Sequence, residues 1–358
     1  MPQRLLIVLN LVVVAATSAG LAFGAIVYQR IHEIPTVDIG LDPRVATGRR
    51  ELGTQNFLIV GSDTRAGQDD GEFGAVAGQR ADVILLIRVD FDSHAASMLS
   101  LPRDLYVEIY EPDGSVVGVD RINTAFAGGP AQLVATIRML FGIPVDHYLQ
   151  INFDGFRDIV DAIDGVDVYL AGAVRDRDQR GRNLSGLDVN ATGCVRLDGT
   201  QTLAYVRSRH FQQLTNGSWK PDPTGDLGRI RRQHDLARRI ASQAIGRDLL
   251  NPARILGLVD AARGNLVIDS TLSPAQLVDF GQQIGAIGTS AISQPTLAVT
   301  NDTTRAGAAI LRLDDTPENA RILDVFRGMS PTPTQTASTE SASATTLPAA
   351  ASVAEPAC

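Results

Sequence analysis

The sequence predicts an α/β fold with a mixed central β-sheet flanked by helices on both faces, a three-layer α/β/α arrangement. Three observations carry this. Apolar runs that read as strands follow one another directly early in the chain, strands alternate with helical patterns through the middle, and the hydrophobic periodicity from Gln55 to about Arg327 is broken by neither repeat nor linker.

In order, Asn56 to Val60 reads as a buried strand ending in a Gly-Ser-Asp turn, Asp82 to Val89 as a second apolar strand and His94 to Leu101 as a third. Helical spacing follows at Ala131 to Phe141 and Phe153 to Ile163, with strands at His147 to Ile151 and Val166 to Leu170. Further helices are expected at Leu197 to Val206, Leu227 to Ile245 and Ser273 to Ile284, the last introduced by a Ser-Pro start.

The ends of the chain stand apart from this body. Leu5 to Tyr28 is a run of 24 uncharged positions between Arg4 and Arg30, long enough for a helix to cross a bilayer. Its rival reading is a cleaved signal peptide, for which Ala22 and Ala25 offer small residues, but the apolar run exceeds the usual length. Arg4 and the free amine place the N-terminus in the cytoplasm and the body outside the cell, as a single-pass protein of the cell membrane. The expected divisions are 1–30 as N-terminus and anchor, 31–54 as stalk, 55–327 as one extracellular catalytic domain and 328–358 as a disordered Ser/Thr/Ala/Pro tail. Cys194 and Cys358 are the only cysteines. A bond between them would tie the tail to the body, and a buried free thiol or an intermolecular bond are the alternatives.

A formal net charge of −8 and the anchor argue against a nucleic-acid partner. The five histidines lack metal-ligand spacing, and no P-loop, G-x-S-x-G or C-x-x-C pattern occurs. What stands out is a set of arginines and aspartates at element ends. Asp63 follows the first strand, at the edge where open α/β sheets usually bind ligands. Arg80 and Asp82, two apart at the start of the next strand, share a face in extended chain. If those strands are neighbours, Asp63 and Asp82 converge. Two carboxylates beside arginines suit Mg²⁺ (or Mn²⁺) bridging to phosphate oxygens, while an ordinary Arg–Asp ion pair with a capping Asp fits the spacing equally.

Pro102 ends the third strand and presents Arg103, and Arg121 precedes a short helix stopped by Gly128 and Gly129. Arg207 and Arg209 share a face only if the preceding helix has ended and the chain is extended there. Asp226, Arg229 and Gln233, spaced i, i+3 and i+7, lie on one face of the helix that begins near Asp226, whose N-terminus favours anions. Arginines fixed around one site recognise pyrophosphate through forked hydrogen bonds. Arg231, Arg232, Arg238 and Arg239 fit a solvated helix face better. His210, beside Arg209, is expected to be an exposed neighbour of the site.

The segments NFLIVGSDTR, R-x-D-V-I-L-L, SLPRDLYV, RINTAFAGGP, HYLQINFDGFRDIVDAIDGVDVYL, LDGTQTLAYVRSRH and GDLGRIRRQ together resemble the successive motifs of the LytR-CpsA-Psr family, in that family's order, over roughly Gln55 to Arg239. The resemblance implies metal-assisted phosphotransfer of a glycopolymer from a polyprenyl-pyrophosphate-linked donor to a peptidoglycan acceptor at the outer face of the cytoplasmic membrane. It implies that Asp63 and Asp82 bind the metal and that Arg80, Arg103, Arg207, Arg209, Arg229 and Gln233 hold pyrophosphate. Arg121 stands where the family usually has lysine. Asp63, Asp82, Arg103 and Asp226 are the catalytic candidates, with Asp63 or Asp226 as the base. The family also holds the polyprenyl chain in an apolar tunnel, for which LVATIRMLFG and FDGFRDIVDAI are candidate walls, with plain core as the alternative. Lys220 is the only lysine, a bias that suits a GC-rich actinobacterial genome and hence arabinogalactan or a related wall polysaccharide. Two other functions stay open, a polyprenyl-pyrophosphate phosphohydrolase and a non-catalytic envelope regulator or lipid-binding module.

Overall fold

The structure, a computed structural model, describes residues 17–18, 20–40, 53–62, 81–245, 252–273, 276, 280, 283, 287, 291–333 and 358. An entry helix over residues 20–31 leads to strands β1 (Thr36–Val37), β2 (Thr54–Ser62), β3 (Ala81–Asp90) and β4 (Ala95–Ser100). A hairpin of β5 (Tyr106–Tyr110) and β6 (Val116–Arg121) precedes a 3-10 turn at Ile122–Gly128, helix α1 (Pro130–Phe141) and β7 (His147–Asn152). Gly129 makes the sharp junction to α1 at φ 100°, with Pro130 preset for the first helical position. Then come α2 (Phe153–Ala162), β8 (Val166–Leu170), β9 (Val174–Asp176), β10 (Asp188–Val189), β11 (Gly193–Leu197) and α3 (Gly199–Arg207). The hairpin of β12 (Phe211–Thr215) and β13 (Ser218–Pro221) leads into α4 (Asp226–Ile245) and α5 (Pro252–Asn265), and β14 (Leu266–Asp269), β15 (Ile292–Ser293), β16 (Val299–Thr303), β17 (Ala309–Leu313) and α6 (Pro317–Arg327) complete the chain.

The central sheet has seven strands in the order β1-β14-β7-β2-β3-β4-β15. Pairs β1/β14, β7/β2 and β4/β15 are parallel and the rest antiparallel, so the sheet is mixed as expected. Its two faces follow from alternation. Leu58, Val60, Ile84, Leu86 and Leu99 point one way and are buried in a core with Leu133, Ile137 and Phe141 of α1 and Ile322 and Phe326 of α6. Ile59, Val83, Leu85, Ile87 and Met98 point the other way, towards α2, α3 and α4. α1 is therefore core on the far face, and the expectation that LVATIRMLFG walls a ligand tunnel is corrected.

One expectation at the ends also changes, and one left open is decided. Residues 31–40 are not a passive stalk: Thr36–Val37 is the edge strand beside β14, and Ile34 and Ile39 are buried in the body. Arg30 pairs with Asp260 and Glu33 with Arg263 at 2.7 Å, which clamps the entry segment to α5. Cys358 is disulfide-bonded to Cys194 on β11, with Cα atoms 5.6 Å apart. Among the described residues no helix is long and apolar enough to cross a membrane, and about half of the expected anchor over Leu5 to Tyr28 lies outside them. The helix expected at Ser273 to Ile284 falls mostly outside them too, as does most of the tail.

Candidate active site

Between the sheet and helices α2, α3 and α4 lies a cavity of about 670 Å³. Its body is apolar, walled by the odd-numbered side chains of β3, by Ala96 and Met98, by Phe156 and Ile159 of α2, and by Leu236, Ala237 and Ile240 of α4. The segment FDGFRDIVDAI does supply a wall. At one end the lining turns polar, with Asp82, Arg103, Arg207, Arg209, Arg229 and Gln233 together.

Each of these side chains is aimed by a local device. Register shifts between Gly61, opposite Val83, and Ser62, opposite Ala81, so Asp82 is the extra residue of a bulge. A bulge re-aims a side chain, and here both Asp82 and Val83 reach the cavity wall where strict alternation would separate them. Arg103 pairs with Asp82, and its Nε lies 3.4 Å from Asp104. A capping box at Asp198 and Gln201 starts α3, which ends at Arg207 because Ser208 turns extended at φ −61°, ψ 120°. The condition for Arg207 and Arg209 to converge is met. Ser208 between them is fully buried and donates to Asp176 at 2.8 Å, and the Arg209 N–H donates to the same carboxylate at 3.2 Å.

Arg207 stacks its guanidinium 4.2 Å from the centre of the Phe153 ring. Among the described residues neither Arg207 nor Arg209 makes an ion pair, so two exposed cations stand at the mouth of an apolar cavity. On α4, Arg229 is buried and Gln233 donates to the Val206 carbonyl at 3.3 Å. Asp63 and Arg80 lie outside the described residues, and Asp226 begins α4 with its side chain outside the description.

Two sequence expectations are corrected. Arg121 does not line the cavity: its guanidinium donates to the Ala309 carbonyl at 3.2 and 2.9 Å and lies 3.6 Å from Asp104, one acid removed from Arg103. Arg232 is no solvated surface residue. It is buried, donating to Asp222 and to the Ser208 carbonyl, both at 2.8 Å, and it stacks on Phe211. It thereby braces the turn that carries Arg207 and Arg209.

Sequence reasoning missed Asp176, Ser100 and His234. Asp176 is 1% exposed, lines the cavity and lies 3.8 Å from the His210 ring, while His210 itself is exposed at the mouth. Its only signal was an acid among arginines in AVRDRD. Ser100 Oγ lies 2.6 Å from His234 Nε2 where the polar mouth meets the apolar body. Burial lowers the His234 pKa to about 4, so the folded protein keeps the ring neutral where the unfolded chain would protonate it near 6.5. The unfolded state then binds more protons as pH falls from 6.5 towards 4, and stability drops by about 3 kcal/mol across that window, to return in full above it. In urea unfolding, the wild type is expected to lose about 2–3 kcal/mol more between pH 7 and pH 4.5 than His234→Gln, which cannot titrate. Equal losses would remove His234 from the acid response.

For a divalent cation, the described mouth supplies the carboxylate of Asp82, and among the described residues no group of three acidic, histidine or cysteine side chains is assembled for a metal. One oxygen ligand suits Mg²⁺ that takes its other ligands from phosphate and water, so the residues present fit such an ion in part.

An apolar cavity between sheet and helices, with four arginines and Asp82 gathered at one end, has the form of a site for an amphipathic anion, apolar along its length and cationic at its mouth. The LytR_cpsA_psr family profile matches residues 31–321, and the chain belongs to that family. It is 32% identical over 236 residues to the probable cell wall biosynthesis protein LcpB of Corynebacterium glutamicum, covering 64% of this chain and 51% of that protein. It is 34% identical over 182 residues to the polyisoprenyl-teichoic acid–peptidoglycan teichoic acid transferase TagU of Bacillus anthracis, covering 51% and 50%. The chain thus spans about half the length of these curated relatives. Among solved structures, a LytR-Csp2A-Psr enzyme from Actinomyces oris matches with TM-score 0.61 at 26% identity, over 82% of this chain and 95% of that one.

Proposed function

We propose that this chain transfers a cell-wall glycopolymer from a polyprenyl-pyrophosphate-linked donor to peptidoglycan, forming a phosphodiester. The carrying observation is the union of an apolar cavity of about 670 Å³ with Arg103, Arg207, Arg209 and Arg229 at its mouth. An isoprenoid chain gains by leaving water for the apolar cavity, while a pyrophosphate head accepts forked, charge-assisted hydrogen bonds from arginines, so one donor suits both halves. The names of the relatives, a wall biosynthesis protein and a teichoic acid transferase, support the same class. Arabinogalactan or a related wall polysaccharide is the polymer we assign, on the arginine-rich, lysine-poor composition.

In this reading the arginines bind the pyrophosphate and disperse its charge, which makes phosphorus open to attack. The acceptor hydroxyl bonds to the sugar-side phosphorus, the bond to the bridging oxygen breaks, and polyprenyl phosphate leaves. The hydroxyl proton goes to a carboxylate, for which Asp63 and Asp226 are the candidates. A Mg²⁺ or Mn²⁺ ion on Asp82, with Asp63 as its partner, would supply further charge neutralisation. Asp176 acts through the turn it holds. The body would stand outside the cell on an N-terminal membrane anchor, next to both substrates.

The test incubates the full chain, Mg²⁺ and a polyprenyl-pyrophosphate saccharide with and without peptidoglycan fragments. A phosphodiester-linked product that needs the acceptor is expected. Free sugar phosphate released at one rate in both arms would replace transfer by hydrolysis.

A further inference from the structure

Beside the mouth, the second sheet has the order β10-β9-β12-β13. Its strands are antiparallel, so residues directly opposite share a face. Arg175 stands opposite both Asp188 and Gln212, and Leu214 stands opposite Trp219. Val174 and Asp176, which alternate with Arg175, are buried, so the face bearing Arg175, Gln212, Leu214 and Trp219 looks out to solvent.

That face is organised. The Arg175 guanidinium lies 4.0 Å from the centre of the Trp219 ring and donates from Nε to Gln212 Oε1 at 3.0 Å. Gln212 donates in turn to the Arg177 carbonyl at 3.2 Å, which leaves one amide hydrogen and one lone pair unused among the described residues. Arg175 makes no ion pair there, because Asp188 is taken by Arg177 at 2.9 Å. Exposed Arg180 nearby makes none either. A chain of net charge −8 thus keeps uncompensated positive charge on this patch.

The patch borders the site at the start of β12, where exposed His210, two residues before Gln212, lines the cavity mouth, while Asp176 lines the cavity from the opposite face of β9. We infer that the outer face of β9, β12 and β13, with Trp219, Gln212 and Arg175, is the subsite for the acceptor glycan strand, an N-acetylated and carboxylate-bearing saccharide. This rests on the transfer reading above. A sugar ring offers an apolar face of C–H groups to an aromatic or Leu214 surface and a rim of hydroxyl and amide groups to planar partners such as Gln212. The carboxylates of a muramyl glycan match Arg175 and Arg180. Gln212 to Leu214 spans roughly 7 Å along the strand, the scale of a sugar ring.

Trp219 is the only tryptophan in the chain, so its fluorescence reads this face alone. The full chain is titrated with a tetrasaccharide of alternating N-acetylglucosamine and N-acetylmuramic acid, with an N-acetylglucosamine tetramer, and with inorganic pyrophosphate. A saturable change with the muramyl tetrasaccharide is expected, at least fivefold weaker with the uncharged tetramer and at least tenfold weaker in Gln212→Ala, with none from pyrophosphate. Equilibrium dialysis with Trp219→Phe should show a similar loss. No saturable change, equal affinity for both tetramers, or displacement by pyrophosphate would each overturn the subsite. Saccharide binding without acceptor-dependent product would instead sink the transfer reading, and transfer without Trp219 response would sink only this inference.

Discussion

Replacing Arg207 with alanine is expected to lower kcat/KM for transfer about a hundred- to a thousandfold, the usual effect of removing one fixed donor to developing charge. Stability should barely move. The Arg207 side chain is exposed, makes no ion pair among the described residues, and rests on Phe153 in a contact worth about 0.5–1 kcal/mol. That is a melting shift of only about 2–4 °C. Arg232, which does not line the cavity but braces the turn that carries Arg207 and Arg209, gives the contrast. Its loss would strip Asp222 of its cationic partner and the buried Ser208 carbonyl of its donor, so Arg232→Ala should lower activity and melting temperature together. Transfer assays paired with thermal melts separate the two. An Arg207 variant that keeps activity within threefold, or that melts more than 10 °C early, would return Arg207 to a structural role.

That pairing also shows what the sequence could and could not reveal. Apolar periodicity places β3, α2 and α4 within a residue or two, because each buries a face whose spacing is its own signature. The i, i+3, i+7 spacing brings Arg229 and Gln233 to one wall for the same local reason. The bulge at Asp82 is different. It is a property of two strands in register, and nothing in DVILL announces that one residue opposite Gly61 is surplus. Arg232 reads as a surface charge and Asp176 passes unnoticed because sequence counts charge and not depth, yet they hold the Arg207–Arg209 turn from opposite sides. Ser100 and His234 are 134 positions apart, and Thr36 meets Ile268 across the rest of the fold. Such pairings follow from topology, which single-chain patterns do not encode. Arg121 misled in the opposite way: it belongs to a hairpin that leans on β17, and its charge goes to a backbone carbonyl there.

The apolar half of the site carries the other large expected effect. Ala237 lies one turn beyond Gln233 on α4 and faces the cavity body between Leu236 and Ile240. Ala237→Phe would project a ring into space that is empty of side chains, so it narrows the cavity without crowding the sheet core on the far face. A buried methylene contributes about 0.8 kcal/mol, and excluding as few as two of them from the cavity costs about 1.6 kcal/mol, or roughly fifteenfold in affinity. The variant should therefore lose at least tenfold in kcat/KM with a long polyprenyl donor, chiefly through KM. With a donor of a single isoprene unit, too short to pass a residue one helical turn or about 6 Å beyond Gln233, the loss should stay under threefold. The arginine mouth is untouched, so kcat at saturating short donor is the internal control. Equal losses on both donors would mean that the cavity body does not hold the lipid, and the enclosed volume between β3 and α4 would then need another occupant.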